Sequence, residues 1–331
     1  MIDLTKTKNH NSQNIEMLET FKKDVKQGLD SNPKTLSSKY FYNKIGDALF
    51  VEIMNLPEYY LTRSELDIFQ NKTQDLINAL QLNSNTPFEL IELGAGDGLK
   101  TKKLLRSLDK QNYTFDYLPI DISSNALQLL KKDLSNTLPN VSVKTQQGDY
   151  FKILASLKKS SKPKVILFLG SNIGNMDDEK AAEFIYNLGA NLKPGDKLLL
   201  GVDLIKAKEI VLPAYNDKQG ITAKFNLNLL HRINEELGAD FNLKNFKHQP
   251  EYNKEEGIAK SYIVSTEQQT VTINALETSY TFEADEKIHT EISRKYNDAL
   301  IEKIIANTDF TLQTKILDSK AYFADYILTR N

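Results

Sequence analysis

Three glycines at alternating positions, Gly94, Gly96 and Gly98, follow an apolar stretch from Phe88 and precede a helical pattern that begins near Lys100. Glycine adopts backbone angles closed to other residues and lets a ligand approach the main chain. The helix behind such a turn begins with N–H groups that have no intrahelical partner. A buried strand, a glycine turn and a helix in this order predict a nucleotide-like ligand at the edge of an open α/β sheet.

The spacing of these glycines argues against a dinucleotide. The dinucleotide fingerprint is G-x-G-x-x-G, whereas this chain has G-x-G-x-G with Glu92 two residues before the first glycine. An acid at that position would repel a pyrophosphate and suit a cation. The pattern E-L-G-A-G-D-G resembles the first motif of the Rossmann-like S-adenosylmethionine (SAM) methyltransferases, whose cofactor carries a sulfonium and an α-ammonium group. For this stretch alone, an ordinary strand–turn–helix without a ligand is the alternative.

Further polar residues follow the next predicted strands. Asp121 ends the second strand, where a carboxylate can accept hydrogen bonds from both ribose hydroxyls; a helix N-cap is the alternative. Asp149 and Tyr150 follow the third strand, where they could bind the adenine amino group and stack on its ring, or form an ordinary loop. The loop 170–175 after the fourth strand has two asparagines and a serine, which can bind a small polar substrate or form a simple turn.

Composition excludes several classes of function. The 331 residues are 40% hydrophobic and 26% charged, which is typical of a globular protein, and the formal net charge of -2 gives no basic excess for nucleic acid or an anionic membrane. Without cysteine there are no disulfides, thiolate nucleophiles or thiolate metal sites. The four histidines have no paired helical spacing, so no metal is expected. No signal-peptide pattern follows Met1, which favours a cytoplasmic location.

The order of patterns predicts an α/β fold with two domains. Apolar strands and helices alternate over residues 87–205, which is typical of a mostly parallel sheet. After a helical pattern over 225–237, period-two segments near 262–264, 271–273 and 280–282 indicate antiparallel strands. The chain closes with a helix over 298–306 and a strand pair over 310–316 and 322–328.

We therefore expect a Rossmann-like class I SAM methyltransferase domain over residues 62–205 with 286–331, its sheet ending in antiparallel strands. A second, α+β substrate-binding lobe is expected over residues 1–61 with 206–285. Thr62-Arg-Ser-Glu65 has the capping-box pattern, which predicts that a helix begins there.

Several stretches resemble the histidine Nα-methyltransferases of ergothioneine biosynthesis, the SAM enzymes that trimethylate histidine to hercynine. They occur in the family's order, from about residue 30 to 296. The matching stretches are Pro33-Lys-Thr-Leu36 and Lys39-Tyr-Phe-Tyr42, Leu56-Pro-Glu-Tyr-Tyr-Leu-Thr-Arg63, Glu92-Leu-Gly-Ala-Gly96, Phe168-Leu-Gly-Ser-Asn-Ile-Gly-Asn175, Leu199-Leu-Gly-Val-Asp-Leu204, Ala214-Tyr-Asn-Asp217, Gly220-Ile-Thr-Ala-Lys-Phe-Asn226 and Thr290-Glu-Ile-Ser-Arg-Lys295. The glycine turn is common to many methyltransferases, whereas Leu-Pro-Glu-Tyr-Tyr and Thr-Glu-Ile-Ser are far more specific.

The resemblance implies roles for individual residues. Tyr59, Asn175 and Tyr215 would line the amino-acid pocket, the last two holding the substrate carboxylate. Glu291 and Ser293 would bind the imidazole, and Tyr42 with the carbonyl of Gly170 would lie near the α-amine, so these two are the catalytic candidates. The expected cofactor-binding residues are Glu92, Gly94, Gly96, Lys100, Asp121, Asp149 and Tyr150.

Two residues depart from the family pattern: Ser261 replaces a bulkier methionine, and Asn172 replaces a threonine. They leave room for a different side chain, so an Nα-methyltransferase of a tryptophan derivative is an alternative. Glu291 argues against it, because an indole has a single N–H donor and needs no anionic partner. A non-catalytic SAM-binding protein is the other alternative. The expected partners are SAM and L-histidine, with no nucleic acid or membrane, and the chain is expected to be a monomer.

Overall fold

The computed structural model describes the backbone of residues 4–331 and the side chains from residue 16 onward. The chain divides into two compact units. The larger unit comprises Tyr60–Lys206 and Ser293–Asn331, and the smaller unit comprises Met1–Tyr59 and Ala207–Ile292, whose first three residues lie outside the described part. Both units are therefore built from two separate segments of the chain.

The larger unit alternates helices and strands. Its helices are α3 (Leu61–Asn71), α4 (Thr73–Leu80), α5 (Thr101–Lys110), α6 (Ser124–Thr137), α7 (Tyr150–Leu157), α8 (Asp178–Gly189) and α11 (Asp298–Ile305). Its strands are β1 (Phe88–Leu93), β2 (Phe115–Asp121), β3 (Ser142–Val143), β4 (Gln146–Gln147), β5 (Lys164–Phe168), β6 (Lys197–Asp203), β12 (Phe310–Leu317) and β13 (Phe323–Arg330).

These strands form one sheet in the order β12-β13-β6-β5-β1-β2-β3, with β4 paired to β2. The pairs from β6 to β3 are parallel, whereas β13 is antiparallel to both β6 and β12. The predicted α/β class with a terminal antiparallel pair is thus confirmed. Every residue of β1 is buried, as expected for a central strand covered on both faces.

The smaller unit is mixed. Its helices are α1 (Leu4–Asp30), α2 (Lys44–Asn55), α9 (Lys208–Val211) and α10 (Ile221–Leu237), and its strands are β7 (Phe246–Asn253), β8 (Ile258–Ser265), β9 (Gln269–Ile273), β10 (Thr278–Phe282) and β11 (Lys287–Arg294), whose last two residues belong to the larger unit. The strands form a three-stranded sheet, β11-β8-β7, and a β9–β10 hairpin. Residues 225–282, which were expected in the second lobe, lie outside the central sheet, and that sheet holds both β6 and β12.

Two expectations about elements need correction. Residues 286–292 were expected in the methyltransferase domain, yet β11 pairs with β8 and most of it belongs to the smaller unit. The helix predicted to start with a capping box at Thr62 begins at Leu61 after Tyr60, with no side-chain cap. The Glu65 side chain makes other contacts, because it is buried and turned toward the sheet.

Candidate active site

The glycine turn after β1 has the backbone that its sequence predicts. Gly94, Gly96 and Gly98 have φ angles of 73°, 52° and 64°, in the left-handed region that favours glycine. A side chain at Gly98 would meet Leu130 Cδ1 at 2.7 Å, and one at Gly94 would meet the Tyr150 hydroxyl at 3.0 Å. The turn is therefore closely packed on one side by Leu130, and Tyr150 lies directly beside it.

The carboxyl ends of β2 and β4 bring three predicted cofactor residues together. Asp121 accepts hydrogen bonds from the backbone N–H of Ser123 at 2.8 Å and of Gly96 at 3.4 Å. Asp149 caps α7 by accepting from the N–H of Lys152 at 3.0 Å. Burial, and then the charges of Asp121 and Asp149, raise the pKa of Tyr150 to about 12. The two carboxylates therefore lie near the Tyr150 hydroxyl at the edge of the glycine turn.

Glu92 lies beneath the glycine turn, where it is almost fully buried. One carboxylate oxygen accepts from the Thr101 hydroxyl at 2.7 Å, and the other accepts from the Tyr117 hydroxyl. Burial raises its pKa to about 7, although both hydrogen bonds act in the opposite direction. In this structure Glu92 connects β1 to the start of α5 and to β2. Its direct contact with a cofactor stays a prediction.

Lys100, a predicted cofactor residue, belongs to a buried charged cluster. The other members of this cluster, Glu65 and Asp325, were not predicted as site residues. The Lys100 ammonium is paired with Glu65, whose carboxylate also accepts from the backbone N–H of Gly170 at 2.9 and 3.0 Å. A side chain at Gly201 would collide with both Glu65 and Asp325, so the two acids flank this glycine. The Asp325 oxygens have no hydrogen-bond partner among the described residues, and burial raises its pKa well above the ordinary value.

The loop over residues 170–175, after β5, is held by a hydrogen bond and by close packing, and its last residue is exposed. Gly170 and Ser171 have φ angles of 78° and 56°, and a 3-10 turn follows over Asn172–Asn175. The Ser171 hydroxyl accepts from the N–H of Asp203 at 3.0 Å. A side chain at Gly174 would meet the backbone oxygen of Arg294 at 2.7 Å. The loop thus packs closely against the end of β11, and Asn175 is exposed beside it.

Ser293 lies at that end of β11 and belongs to a second buried charged network. The Lys295 ammonium donates to the Ser293 hydroxyl oxygen at 2.9 Å and pairs with the Asp203 carboxylate at 2.9 Å. Asp203 also pairs with Lys206 at 2.5 Å and accepts from the Tyr60 hydroxyl at 2.8 Å. Burial lowers the pKa of Lys206, despite the opposing effect of Asp203.

In the smaller unit, an aromatic cluster positions two predicted substrate residues. The rings of Tyr42 and Tyr59 both pack edge-on against Phe50, with centroids 5.6 and 6.3 Å away. Phe225 of α10 contacts Tyr42 and Phe50 at 5.6 and 5.9 Å. Such aromatic contacts hold ring orientation as well as burying apolar area.

Tyr215 and Glu291 lie near Tyr42 in the same unit. Tyr42 is partly exposed, and its surroundings raise its pKa above the ordinary value, first through partial burial and then through the charges of Glu291 and Asp47 and through nearby Tyr215. Tyr215 ends the 3-10 turn Leu212–Tyr215, and the Nε2 of His248 is 2.9 Å from its carbonyl oxygen. These proximities gather Tyr42, Tyr215 and Glu291 around one part of the smaller unit.

The predicted site residues are thus divided between the two units. The larger unit holds Gly170, Asn175, Ser293 and all seven cofactor residues, and the smaller unit holds Tyr42, Tyr59, Tyr215 and Glu291. Among the residues that the structure describes, no cluster of metal-ligating side chains occurs, and no helix is long and apolar enough to cross a membrane. Glu65, Asp325 and Lys295 escaped prediction because their partners are distant in sequence.

Comparison with known proteins gives a consistent set of similarities. A family model described as a histidine-specific, SAM-dependent methyltransferase matches residues 21–330. The chain is 34% identical over 278 residues to the histidine N-alpha-methyltransferase of Mycolicibacterium smegmatis, a match that covers 84% of this chain and 85% of that protein. It is 32% identical over 302 residues to ergothioneine biosynthesis protein 1 of Schizosaccharomyces pombe, covering 89% of this chain and 39% of that protein.

More distant similarities extend to other N-methyltransferases. A 4-dimethylallyltryptophan N-methyltransferase of Epichloe festucae var. lolii is 28% identical over 201 residues, which is 58% of this chain and 57% of that protein. Among solved structures, a SAM-dependent methyltransferase from Clostridium acetobutylicum is similar with a TM-score of 0.45 and 12% identity, covering 87% of this chain and 98% of that one.

Proposed function

Because the chain belongs to the family of SAM-dependent, histidine-specific methyltransferases, we propose that it methylates the α-amino group of L-histidine, giving trimethylhistidine (hercynine). The observation that carries the proposal is the extent of the family match, residues 21–330. This range contains segments of both units and all of the expected cofactor-binding and substrate-binding residues. The larger unit acts as the methyltransferase domain in this proposal, and the smaller unit acts as the substrate-binding lobe.

The donor set around the glycine turn fits SAM. SAM supplies a methyl group on a positively charged sulfur. The turn offers close backbone approach at Gly94 and Gly96, and Asp121 offers carboxylate lone pairs for the ribose hydroxyls. In this proposal Asp149 and Tyr150 bind the adenine end. Lys100, held by Glu65, offers an ammonium for the carboxylate of the methionine part.

The substrate residues hold an amino acid by its two ends. Asn175 and Tyr215 bind the carboxylate, Tyr59 lines the pocket, and Glu291 with Ser293 binds the ring. Glu291 and Ser293 are separated by one residue on β11, so their side chains point to the same side of the strand. Ionised Glu291 can only accept hydrogen bonds, so a ring N–H is its natural partner.

Methyl transfer requires a neutral amine with its lone pair directed at the donor. A tyrosine hydroxyl keeps its proton at neutral pH, and the surroundings of the partly exposed Tyr42 raise its pKa further, so the hydroxyl orients the amine without acting as a phenolate base. The Gly170 carbonyl accepts an amine N–H and fixes the direction of the lone pair. The proton of the substrate ammonium leaves to solvent. Positioning of this kind can contribute about 7–11 kcal/mol to the lowering of the barrier.

The test is to incubate the protein with SAM and each proteinogenic amino acid in turn, and to read methylated products by mass spectrometry. We expect histidine to be the best substrate and its final product to carry three added methyl groups. Fragmentation locates these methyl groups on the α-nitrogen. A different best amino acid, or methylation of the ring, would refute the assignment.

A second candidate is an Nα-methyltransferase of a tryptophan derivative. Its support is Ser261, a small and fully buried residue on β8, the strand next to β11, together with the similarity to the dimethylallyltryptophan enzyme. Including tryptophan and 4-dimethylallyltryptophan in the same assay separates the two candidates.

The proposal also includes a cytoplasmic monomer that binds no nucleic acid. Light scattering after size-exclusion chromatography measures the oligomeric state. Fractionation of the producing cells tests the location, and a filter-binding assay with mixed DNA and RNA tests for nucleic-acid binding.

A further inference from the structure

Lys295 is a lysine whose side chain is wholly buried one residue after β11 ends. Its exposed fraction is 0%, and the Asp203 carboxylate that pairs with it is equally buried. Burying an ammonium is costly unless it is paired and hydrogen-bonded. Asp203 supplies the pairing, and the Ser293 hydroxyl oxygen, 2.9 Å from the ammonium, accepts one of the hydrogen bonds.

The direction of that hydrogen bond is fixed by chemistry. An ammonium has donors and no lone pair, so the Ser293 oxygen must be the acceptor and its own proton must point away from Lys295. A hydroxyl beside a neutral hydroxyl can act as donor or as acceptor. Beside the Lys295 ammonium, the Ser293 hydroxyl can act only as acceptor. The nearby positive charge also withdraws electron density from the oxygen, which makes the O–H a stronger donor and disfavours a cation beside it.

We infer that Lys295 is a positioning residue that makes Ser293 a hydrogen-bond donor toward the ligand ring. Glu291, on the same side of β11, can only accept. The pair then selects a ring that has one N–H and one nitrogen lone pair, which is a neutral imidazole. A pyrrole or indole has the N–H without the lone pair, and an imidazolium has two N–H groups. This inference rests on the proposed function and adds the protonation state of the bound ring.

Lys206 provides a matched control. It is a second buried lysine, it pairs with the same Asp203 carboxylate at 2.5 Å, and its contacts include the Tyr60 hydroxyl at 3.1 Å. Lys295→Met leaves Asp203 paired with Lys206, and Lys206→Met leaves it paired with Lys295. Each variant therefore removes one buried charge and keeps Asp203 in an ion pair, but only Lys295→Met removes the donor to Ser293.

The first experiment compares histidine with the two pyrrolylalanine isomers, in which a C–H replaces one ring nitrogen. The wild type should prefer histidine over the better isomer by about 10- to 100-fold in kcat/KM, the range for one hydrogen bond strengthened by a charge. In Ser293→Ala this ratio should fall to within about threefold of unity, because the hydrogen bond to the ring is lost. In Lys295→Met it should fall at least about threefold, because nothing then keeps the Ser293 proton directed away from residue 295. Lys206→Met should keep the wild-type ratio.

The second experiment uses the wild type alone, so it does not depend on how a variant folds. Histidine labelled with 15N in the ring is bound together with S-adenosylhomocysteine, and the ring nitrogen shifts are recorded. We expect one protonated and one unprotonated nitrogen in the bound ring. Two protonated nitrogens would overturn the inference.

The outcomes separate the inference from the proposed function. If the wild type does not methylate histidine, the proposed function fails and the inference fails with it. If histidine is methylated but Lys295→Met keeps the wild-type ratio, only the inference fails. An equal loss of the ratio in Lys206→Met would show that the buried network acts on the fold as a whole, which also overturns the positioning role of Lys295.

Discussion

Asp121 is the residue whose contacts most directly suit a ribose. Its oxygens already accept from Ser123 and Gly96 at the mouth of the glycine turn, and the carboxylate has further lone pairs. We expect Asp121→Ala to weaken SAM binding on the order of 100-fold, because each hydrogen bond to a charged group contributes roughly 1.5–3 kcal/mol. Titration calorimetry measures the dissociation constant.

Asp133 is a suitable control for that change. It lies on α6, its side chain is about half exposed, and its contact is an ion pair with Lys102 near the surface. Asp133→Ala should leave SAM affinity within about twofold, since surface pairs contribute little. Equal affinities in a folded Asp121→Ala protein and the wild type would remove Asp121 from the cofactor site.

Glu291 is the residue that distinguishes histidine from other aromatic amino acids in our proposal. Without its carboxylate the ring N–H is left unpaired, so Glu291→Ala should lower kcat/KM for histidine by about 100-fold or more. SAM affinity should stay unchanged. The preference for histidine over phenylalanine and tryptophan should narrow, and kcat/KM for all three amino acids measures it. A preserved preference would contradict the imidazole assignment.

Among individual residues, those that lie in local sequence motifs could be predicted from the sequence. The buried charged residues that pack around those motifs could not. Asp121 and the three glycines could be predicted because their roles depend on local spacing after a strand. Lys295 and Asp203 carry no such signature, because their pairing exists only after distant segments fold together. A buried charge pair between distant segments has no periodicity that a single sequence could reveal.

The cluster of Glu65, Lys100 and Asp325 joins α3, the start of α5 and β13. Asp325 is wholly buried, and burial followed by the charge of Glu65 raises its pKa well above the ordinary 3.8, with Lys100 acting in the opposite direction. The folded protein therefore retains a proton that the unfolded chain releases above pH 3.8. Because the unfolded state binds fewer protons, this group lowers stability as pH rises from about 4 toward neutrality.

We expect Asp325→Asn to raise the melting temperature at pH 7 relative to the wild type, because asparagine resembles the protonated acid and has no proton to lose. The gain should shrink as pH falls toward 4, where both states of the wild type are protonated. Thermal unfolding at several pH values gives the measurement. Asp309→Asn, at an exposed surface pair with Arg330, is the control. A melting temperature that drops at pH 7, by an amount that shrinks as pH falls, would show that Asp325 is ionised in the fold.

The 3-10 turn Leu212–Tyr215 depends on a histidine from β7. His248 Nε2 contacts the Tyr215 carbonyl at 2.9 Å, and burial lowers the pKa of His248, so the ring is neutral at pH 7 and donates through Nε2. We expect His248→Phe to raise KM for the amino acid about tenfold, the value of one hydrogen bond, and to leave SAM affinity unchanged.

His231→Phe serves as the control for that prediction, because His231 is on the exposed face of α10 and pairs with Glu235 there. Steady-state kinetics with each substrate varied in turn separates the two KM values. Were the KM for SAM to rise in His248→Phe and the KM for the amino acid to stay constant, Tyr215 would not belong to the amino-acid site.

Strands with a strong local apolar pattern could be predicted from the sequence. A strand that forms mainly through pairing with its neighbour could not. The strands β1, β2, β5 and β6 are apolar runs between turns, and all four lie within residues 87–205, where alternating strands and helices were expected. Strand β7 was missed because Lys247, Gln249 and Pro250 interrupt its apolar pattern, and β8 pairs with it along its whole length. The capping-box pattern misled for a similar reason, since Glu65 is drawn into a buried ion pair with Lys100.

At the scale of the whole molecule, each hydrophobic core among the described side chains is made of residues from a single unit. The two faces of the central sheet are covered by clusters from the larger unit, and a third cluster, which includes Phe21, Phe225 and Phe282, belongs to the smaller unit. In the larger unit, the residues before the chain leaves, near 205, are hydrogen-bonded to the residues where it returns, near 296. Leu204 bridges to Tyr296, and the N–H of Ile205 donates to the Tyr296 carbonyl at 2.9 Å.

We therefore expect a shortened chain, residues 60–206 joined to 293–331 by a short glycine-serine linker, to fold and bind SAM without methylating histidine. The hydrogen-bonded ends allow a short linker, and the shortened chain retains both clusters of the sheet and all seven cofactor residues, but it lacks Tyr42, Tyr59, Tyr215 and Glu291. Circular dichroism and titration calorimetry test folding and SAM affinity, and mass spectrometry tests turnover. The same chain with Asp121→Ala should lose SAM binding. A folded shortened chain that still methylates histidine would place the substrate site within the larger unit, and one that folds without binding SAM would mean that the smaller unit contributes to the cofactor site.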